Sequence, residues 1–260
     1  MSWIITGTQK NNWTPADINT ALWLDAADVS TITESGGAVS QWNDKSGNAR
    51  HLNTVGGSGS ISTGTRTLNS KNVLDFPGTA NLSRIAFSTT ENNGWIYLVA
   101  ASDPTSFSDL GTARFANFGL NGTNNRLFCG VGTAYALTTR ITTRLSQGPQ
   151  DIAASANITS SPVIVNFGRE FATGGVLYIN GTLQGSFVPT LNTADHSTQQ
   201  IVLGGDPNGY LDGLIGEVIL LKSLPSTNTR QRLEGYLAHK WGLTADLPAD
   251  HLYKTAVPVP

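Results

Sequence analysis

Residues 212–243 read DGLIGEVILLKSLPSTNTRQRLEGYLAHKWGL. The segment Asp212–Leu221 is apolar and rich in β-branched residues, which favours a strand buried within a sheet. Pro225 follows this segment and cannot donate to a sheet ladder. From Thr227 to Trp241 the apolar residues recur at helical spacing. This pattern predicts one amphipathic helix that packs across a sheet or over its open end.

Capping residues mark both ends of the predicted helix. Ser226 or Thr227 can accept hydrogen bonds from the first turn, and Gly242 stands where a left-handed residue ends a helix. Glu234 falls on the polar side of the helix, which predicts an exposed surface charge. The residues of the apolar stripe are Leu233, Tyr236, Leu237, Lys240 and Trp241.

The rest of the chain has the composition of a β protein. Hydrophobic residues make up 39% of the 260 residues, charged residues only 13%, and there are 28 glycines. These values are typical of short strands joined by turns, and we expect a single all-β domain. Asn180-Gly181 is a strong hairpin turn. Strands are predicted at 21–28, 39–48 (running into a turn), 73–76, 95–101, 114–119, 126–131, 151–156, 162–167, 175–179, 185–187, 199–204 and 213–221.

Charge and cysteine usage argue against several classes of function. A net charge of −2 and a pI near 6.0 give no basic surface for a nucleic acid. The single cysteine, Cys129, excludes an internal disulfide and fits a small buried apolar residue. No segment looks like a secretion signal or a membrane span. We therefore expect no nucleic acid, no membrane insertion and assembly in a cytoplasm.

The two ends of the chain are predicted to be extended segments. Residues 1–20 form an N-terminal arm, residues 21–254 the domain, and residues 255–260 a C-terminal tail. The apolar residues of the arm either fold back on the domain or dock on a neighbouring subunit. Residues 56–60 are predicted to be a flexible loop within the domain. The candidate anchors to a partner are Trp3, Ile4, Ile5 and Trp13.

Six short motifs follow one another along the chain. They are Leu22–Ala26 (LWLDA), Trp42–Asn48 (WNDKSGN), Asn72–Phe76 (NVLDF), Leu177–Gly181 (LYING), Ile215–Val218 (IGEV) and Tyr236–Leu243 (YLAHKWGL). In this order they resemble the concanavalin A-like, laminin-G-like jelly-roll domains of bacteriophage structural proteins and bacterial surface proteins. The resemblance implies a sandwich of two antiparallel sheets with Trp42 and Trp241 buried. It also implies that any ligand binds in loops or on the concave sheet.

The acidic residues do not predict an enzyme. A glycan hydrolase of this fold needs two carboxylates that face one cleft, and no glutamate has an acidic partner two or four residues away. Glu217 is interpreted as a structural carboxylate bonded to a neighbouring strand or helix, with catalysis as the alternative. The four histidines lack metal-site spacing, and no serine lies in a nucleophile elbow.

Calcium and glycan sites are weaker predictions. Asp206 with Asn208, and Asp25 with Asp28, offer oxygen ligands at short spacing, although turn formation and local hydrogen bonding explain both pairs. We otherwise predict no metal and no cofactor. The aromatic residues that could form a platform for a sugar, or pack in the core instead, are Trp95, Tyr210 and Tyr135.

The predicted function is a non-enzymatic bacteriophage virion surface protein, a capsid decoration (cement) protein bound to the major capsid protein. It would be assembled in the host cytoplasm and located on the virion surface. By analogy with decoration proteins we expect a homo-oligomer, specifically a trimer. The alternative is a carbohydrate-binding module that recognises a host surface glycan from a tail fibre or knob, and a more remote one is a glycan hydrolase.

Overall fold

The structure is a computed structural model that describes residues 12–87, 94–103, 112–118, 127–132, 140–145, 150–157, 161–170, 174–187, 199–206 and 209–260. Within these residues the chain forms nineteen strands, one α-helix and three 3-10 turns. The helix, α1, is Thr227–Trp241, and the 3-10 turns are Pro15–Asp17, Val29–Thr31 and Thr244–Asp246. The strands are β1 Leu22–Asp25, β2 Ile32–Ser35, β3 Ala38–Trp42, β4 Leu52–Gly57, β5 Ser62–Leu68, β6 Lys71–Pro77, β7 Ala80–Phe87, β8 Gly94–Ser102, β9 Thr112–Phe118, β10 Leu127–Gly132, β11 Arg140–Leu145, β12 Gln150–Asn157, β13 Val163–Glu170, β14 Gly174–Ile179, β15 Thr182–Phe187, β16 Gln199–Leu203, β17 Gly205–Asp206, β18 Gly209–Tyr210 and β19 Asp212–Leu221.

The strands form two antiparallel layers. In sheet I, β19 pairs with β8 on one side and with β6 and β1 on the other. Sheet I continues from β8 through β13, β14 and β15, and from β6 to β5. Sheet II has the order β2, β3, β4, β7, β16, β9, β10, β11, β12. The bridge between Ala38 and Ser62 joins the two layers.

The main core lies between the two sheets, because alternate residues of each strand point toward the opposite layer. Leu82 of β7, Ile201 of β16 and Leu98 of β8 are fully buried there, together with Trp42 of β3. The prediction of an all-β sandwich with one C-terminal helix is confirmed. The buried position predicted for Trp42 is confirmed as well.

Helix α1 covers the outer face of sheet I. Leu233, Leu237 and Trp241 pack there against β8 and β19, so both faces of these strands are buried. This double burial explains why β19 is almost uniformly apolar. A Cβ atom at Gly216 would lie 2.7 Å from the Trp241 ring, and glycine is therefore required beneath the indole.

The caps of α1 are those that the sequence predicts. The Ser226 hydroxyl accepts a hydrogen bond from the Thr229 N–H at 3.1 Å. Gly242 adopts the left-handed conformation with φ 74° and ends the helix. In the described part of the chain, this helix is too short and too polar to cross a bilayer.

The N-terminal and C-terminal segments meet beside α1. The Trp13 N–H donates to the Pro258 carbonyl at 3.0 Å, and the Trp13 ring lies edge-on to Tyr236. Trp13 is 2% exposed and belongs to the cluster beneath the helix. The arm therefore folds back at Trp13, and the prediction that Trp13 anchors a partner is wrong. Trp3, Ile4 and Ile5 lie outside the described residues.

The sequence analysis does not predict several of the strands. Gly56 and Gly57 belong to β4, so the flexible loop predicted at residues 56–60 is wrong at its start. The sequence analysis does not predict β2, β5, β7 and β11 either, because they are rich in polar residues and none has an apolar run longer than three residues. Their outward side chains make them resemble loops in the sequence.

Candidate functional site

Glu217, the carboxylate that the sequence analysis considers as a catalytic acid, is enclosed between sheet I and α1. Its Oε1 accepts hydrogen bonds from the Trp23 indole at 2.7 Å and the Tyr236 hydroxyl at 2.9 Å. Its Oε2 accepts from the Trp241 indole at 2.8 Å and lies 2.7 Å from Lys240 Nζ. Glu217 is 0% exposed. All four contacts come from this chain, and a substrate cannot reach the carboxylate.

Burial raises the pKa of Glu217, and the positive charge of Lys240 acts in the opposite direction. Burial also raises the pKa of the Tyr236 hydroxyl, with the Glu217 charge adding to the effect. The interpretation of Glu217 as a structural carboxylate is confirmed. The geometry removes Glu217 as the acid of a glycan hydrolase.

The Asp25 and Asp28 pair, a candidate calcium site, is occupied by lysine side chains of the same chain. Lys45 Nζ lies 2.9 Å from Asp25 Oδ2 and 2.8 Å from Asp28 Oδ2. Lys240 Nζ lies 2.6 Å from Asp25 Oδ1. Two ammonium groups therefore stand where a calcium ion would have to bind. Among the described residues, no three His, Cys, Asp or Glu side chains are grouped so as to hold a metal.

The Trp42–Asn48 motif has a structural role next to this network. Asp44 Oδ1 accepts hydrogen bonds from the backbone N–H groups of Trp23 and Ser46, at 3.0 and 2.8 Å. Asn48 Nδ2 donates to the Thr20 carbonyl at 3.0 Å. The loop thus holds the start of β1 in place, and these polar residues are explained by the fold.

Glu234 is not the surface charge that the helical pattern predicts. It is 0% exposed and receives the Arg230 guanidinium at 2.7 Å, the His251 ring at 3.2 Å and the Asn166 amide at 3.3 Å. The correction has a simple cause, since the segment after α1 turns back and places His251 over the glutamate. Glu234 is a second internal polar contact between the helix and sheet I.

The outer face of sheet II differs from that of sheet I, because it carries amide and hydroxyl side chains. Register places Gln41 of β3, Asn53 of β4, Ser83 of β7 and Val202 of β16 in one row across the strands. Their neighbours along the strands, such as Leu82, point into the core. We call this surface the amide face, and it comprises Gln41, Asn53, Val55, Asn81, Ser83 and Val202.

Beneath the amide face lie two buried oxygen atoms that are closed to solvent and lack hydrogen-bond partners. They are Asn81 Oδ1 and Ser83 Oγ, on residues that are 7% and 3% exposed. Asn53, beside Ser83, is exposed and accepts a hydrogen bond from Gln41 at 2.7 Å. Unpaired polar atoms also occur at Trp42, Arg84, Trp95, Tyr97 and Asn166.

The position of the pair on the amide face distinguishes it from the other unpaired groups. Trp42 lies in the main core, and Trp95 and Tyr97 lie beneath α1. Asn166 lies on sheet I against Glu234 of α1. Asn81 and Ser83 alternate with the core residue Leu82 and therefore lie on the outer side of sheet II. Both oxygen atoms are closed to solvent, so they are unsatisfied polar groups beneath the amide face.

The predicted aromatic platforms have different outcomes. Trp95 is 4% exposed within the cluster under α1, and its assignment to a sugar platform is wrong. Tyr210 is half-buried in β18, which pairs with β17. In β17, the Gly205 carbonyl accepts a hydrogen bond from the Asn81 amide. Tyr210 therefore belongs to the hairpin that borders the amide face. Asp206 lies in β17, whereas Asn208 and Tyr135 lie outside the described residues.

Sequence reasoning did not find the amide face. Its signal is the alternation of polar and apolar residues in Asn81-Leu82-Ser83 and in Leu52-Asn53, which is the period of a strand with one outward face. The row itself depends on register between strands that are distant in the sequence, and a single strand does not reveal it.

Comparisons with known proteins agree with the fold. The sequence matches no model of a protein family, and the search of curated proteins also found no match. Domain 4 of AbnA, a GH43 extracellular arabinanase from Geobacillus stearothermophilus solved with arabinotriose, is similar at 14% identity and a TM-score of 0.61. The similarity covers 83% of this chain and 98% of that domain.

Two further structures share the architecture over about half of their own length. An arabinofuranosidase complexed with arabinofuranosyl-alpha-1,2-xylobiose is 13% identical over 83% of this chain and 58% of the other, with a TM-score of 0.55. A structure from work on botulinum neurotoxin type C, whose cell entry depends on two ganglioside molecules, is 13% identical over 86% and 53%, with a TM-score of 0.58. At these identities the likeness concerns the β-sandwich fold.

Proposed function

We propose that this chain is a non-enzymatic carbohydrate-binding β-sandwich module whose ligand binds on the amide face. The observation that carries the proposal is the row of amide side chains across sheet II, in which the exposed Asn53 accepts a hydrogen bond from the half-buried Gln41 at 2.7 Å. Hydroxyl and amide groups fix the orientation of a polar ligand through hydrogen bonds. A sugar presents hydroxyl groups around its ring and matches such a surface.

The enclosure of Glu217 argues against a catalytic role for this residue, and the structural neighbours are compatible with sugar binding. Glu217, the best candidate acid, is enclosed by Trp23, Tyr236, Trp241 and Lys240. The structural neighbours include the arabinanase domain solved with arabinotriose and the arabinofuranosidase solved with a substituted xylobiose. Their fold is compatible with sugar binding, and their ligands are suitable first probes.

The proposal is tested by screening the intact protein on a glycan array that includes arabinotriose, and then by titrating the bound glycan. The double substitution Gln41→Ala with Asn53→Ala removes the two hydrogen-bonded amides of the row. We expect it to weaken binding by about tenfold, since two hydrogen bonds of roughly 1 kcal/mol each are lost and water replaces part of them. The matched control is Gln231→Ala with Asn228→Ala on α1, which removes the same residue types from the other side of the sandwich.

Binding of no glycan by the folded protein would overturn the proposal. Equal effects of the two double substitutions would overturn the assignment to the amide face. Repeating the titration with a calcium chelator tests the predicted calcium ligands Asp206 and Asn208, because loss of binding would show that a metal is needed.

The narrower proposal, a decoration protein on a bacteriophage capsid, concerns where the module works. Trp13 and Pro258 meet beside α1, on the side of the sandwich opposite the amide face. Trp3, Ile4 and Ile5 precede Trp13 in the chain, and we propose that they bind the major capsid protein. Attachment there would leave the amide face directed away from the particle and toward a host surface glycan.

Deletion of residues 1–11 tests this placement without removing the buried Trp13. We expect a folded protein that no longer attaches to its particle in a co-sedimentation assay, and undiminished attachment would contradict the proposal. Light scattering of the same two proteins measures the proposed trimer. A monomeric full-length protein would contradict the oligomeric state.

A further inference from the structure

Lys240 of α1 reaches down to sheet I and contacts two carboxylates at once. Its Nζ lies 2.6 Å from Asp25 Oδ1 and 2.7 Å from Glu217 Oε2. Asp25 of β1 and Glu217 of β19 are direct cross-strand partners, so their side chains project from the same face of the sheet. An amine, a carboxyl group and a second carboxyl group that touches the amine are therefore held together.

The three groups are enclosed between the helix and the sheet. The Trp23 and Trp241 indoles donate to Glu217 at 2.7 and 2.8 Å, and the side chains of Asp25 and Lys240 are 6% and 17% exposed. Burial penalises charged forms, so it favours a neutral amine and a neutral carboxylic acid over the ion pair. Burial also raises the pKa of Glu217, which suits a carboxylate that has to hold a proton during a reaction.

The distance between Lys240 and Asp25 suits attack of the amine on the carboxyl group. The carboxyl carbon lies one C–O bond of about 1.2 Å beyond Oδ1, so it is within about 3.8 Å of Nζ. Groups held at roughly 3–3.5 Å react with a large entropic advantage. Lys45 also contacts Asp25, at 2.9 Å, but its other carboxylate partner is Asp28, which is 36% exposed. Lys240 has the buried Glu217 instead and is the better placed nucleophile.

We propose that Lys240 and Asp25 condense to an amide cross-link between α1 and β1, with Glu217 as the proton relay. The ion pair seen in the structure is the reactant. The reaction lies within the chain, so the closure of Glu217 to an outside substrate does not prevent it. The bond links positions that are 215 residues apart, in a chain whose single cysteine excludes an internal disulfide. A cross-link of this kind stabilises the fold by restricting the unfolded chain. The proposal is independent of carbohydrate binding.

The reaction balances within the three groups. One ammonium proton passes along the 2.6 Å hydrogen bond to Asp25, and the lone pair left on Lys240 Nζ then points at the carboxyl group. Nζ forms the C–N bond, and Glu217 takes a second proton from the nitrogen. Glu217 returns this proton to the carboxyl hydroxyl, which leaves as water when its C–O bond breaks. Of the three ammonium protons, one stays on the amide nitrogen and two leave in the water.

The experiment is intact-mass spectrometry of the denatured full chain after incubation of the folded protein at neutral pH, followed by peptide mapping. We expect the mass of the sequence less one water, and a branched peptide that joins Asp25 to Lys240. Lys240→Arg keeps the positive charge but not the amine nucleophile, and it should retain the full mass. Glu217→Gln removes the relay and should slow the reaction by at least about a hundredfold. The matched control is Lys254→Arg, at a lysine that bonds backbone carbonyls, and it should lose water like the unmodified protein.

Several outcomes would overturn the proposal. A folded protein that retains the full mass of its sequence has no cross-link. A loss of water that maps to another aspartate or to Lys45, or one that persists in Lys240→Arg, makes the assignment of the bond wrong. If Glu217→Gln reacts as fast as the unmodified protein, Glu217 is not the relay. Tryptophan fluorescence of each variant is recorded alongside, so that a misfolded variant is not mistaken for an unreactive one.

Discussion

The outer face of sheet I is apolar and lies under α1, whereas the outer face of sheet II carries amides and a hydroxyl. Trp95, Tyr97 and Asn166 on the helix side each carry one unpaired buried atom, but the central carboxylate of that side differs from the buried oxygens of the amide face in how its hydrogen bonds are satisfied. On the helix side, Glu217 has four partners from its own chain. On the amide face, Asn81 Oδ1 and Ser83 Oγ have none.

The two sites therefore show two kinds of buried polar group, one whose hydrogen bonds are all made within the fold and one that lacks partners. A buried carboxylate is tolerated when donors surround it, because each lost contact with water is replaced. An unpaired buried oxygen costs roughly 1–3 kcal/mol of stability until something binds to it. The network around Glu217 therefore fixes α1 to the sandwich, whereas the two unpaired oxygens beneath the amide face lower the stability of the fold.

The largest expected effect on stability comes from disrupting the hydrogen-bond network around Glu217. Glu217→Gln keeps the shape of the side chain, but it removes the charge beside Lys240 and places an N–H group against donors. We expect a loss of about 3–5 kcal/mol in the free energy of unfolding, as for a buried ion pair deprived of one partner. The measurement is urea unfolding followed by fluorescence of the buried tryptophans.

Two further variants make this prediction robust. Glu34→Gln, at an exposed glutamate, is the matched control and should change stability by no more than about 0.5 kcal/mol. Trp23→Phe removes one donor to Glu217 and should cost about 1–3 kcal/mol while leaving a folded protein. If Glu217→Gln matches the control, the network does not hold the helix in place.

Removing an unpaired hydroxyl beneath the amide face should have the opposite effect on stability. Ser83→Ala removes a hydroxyl that has no partner, and we expect a gain of up to about 1 kcal/mol in the free energy of unfolding. Ser46→Ala is the matched control. The Ser46 hydroxyl bonds Asp44 and Asn48, each at 2.8 Å, so its removal should cost about 1 kcal/mol.

Thermal and urea unfolding of these two serine variants, measured in parallel without ligand, test the contrast directly. Stabilisation by Ser83→Ala would confirm that this buried hydroxyl has no structural partner. Equal destabilisation by both variants would show that Ser83 has a structural partner, and the distinction between the two faces would then be wrong.

Local sequence patterns predict β19 and the ends of α1 correctly. The apolar run of β19 and the caps Ser226 and Gly242 are contained in short stretches of sequence, and the structure confirms them. Glu234 was misplaced on the surface because its burial depends on His251, which is 17 positions away and reaches it only after the chain turns back. No helical periodicity contains that information.

The amide face could not be predicted in the same way. Asn53 and Ser83 are 30 positions apart and become neighbours only through the register of β4 with β7. Each of these strands is half polar, so its sequence resembles a loop as much as a strand. Alternation indicates that such a strand has an outward face, but pairing of distant strands decides which side chains share it.

The smallest expected effect lies at the solvent-exposed end of the helix-side network. The side chain of Asp28 is 36% exposed, and the hydrogen bond from Lys45 lowers its pKa from 3.8. A carboxyl with a lowered pKa in the folded state stabilises the protein above its unfolded pKa, and this contribution disappears as the pH falls through the lowered value. Because solvent screens the pair, Asp28→Asn should cost only about 0.2–1 kcal/mol at neutral pH.

Urea unfolding of Asp28→Asn against the unmodified protein, at neutral pH and at about pH 3, tests the sign of this contribution. We expect the difference in unfolding free energy to shrink in acid, and to shrink likewise in about 1 M salt, because the Asp28 carboxylate is open to counterions. The deficit of Glu217→Gln should persist in the same salt, since no counterion reaches that site. If salt reduces the stability deficits of both variants, Glu217 is not enclosed, and the contrast between the helix side and the amide face is wrong.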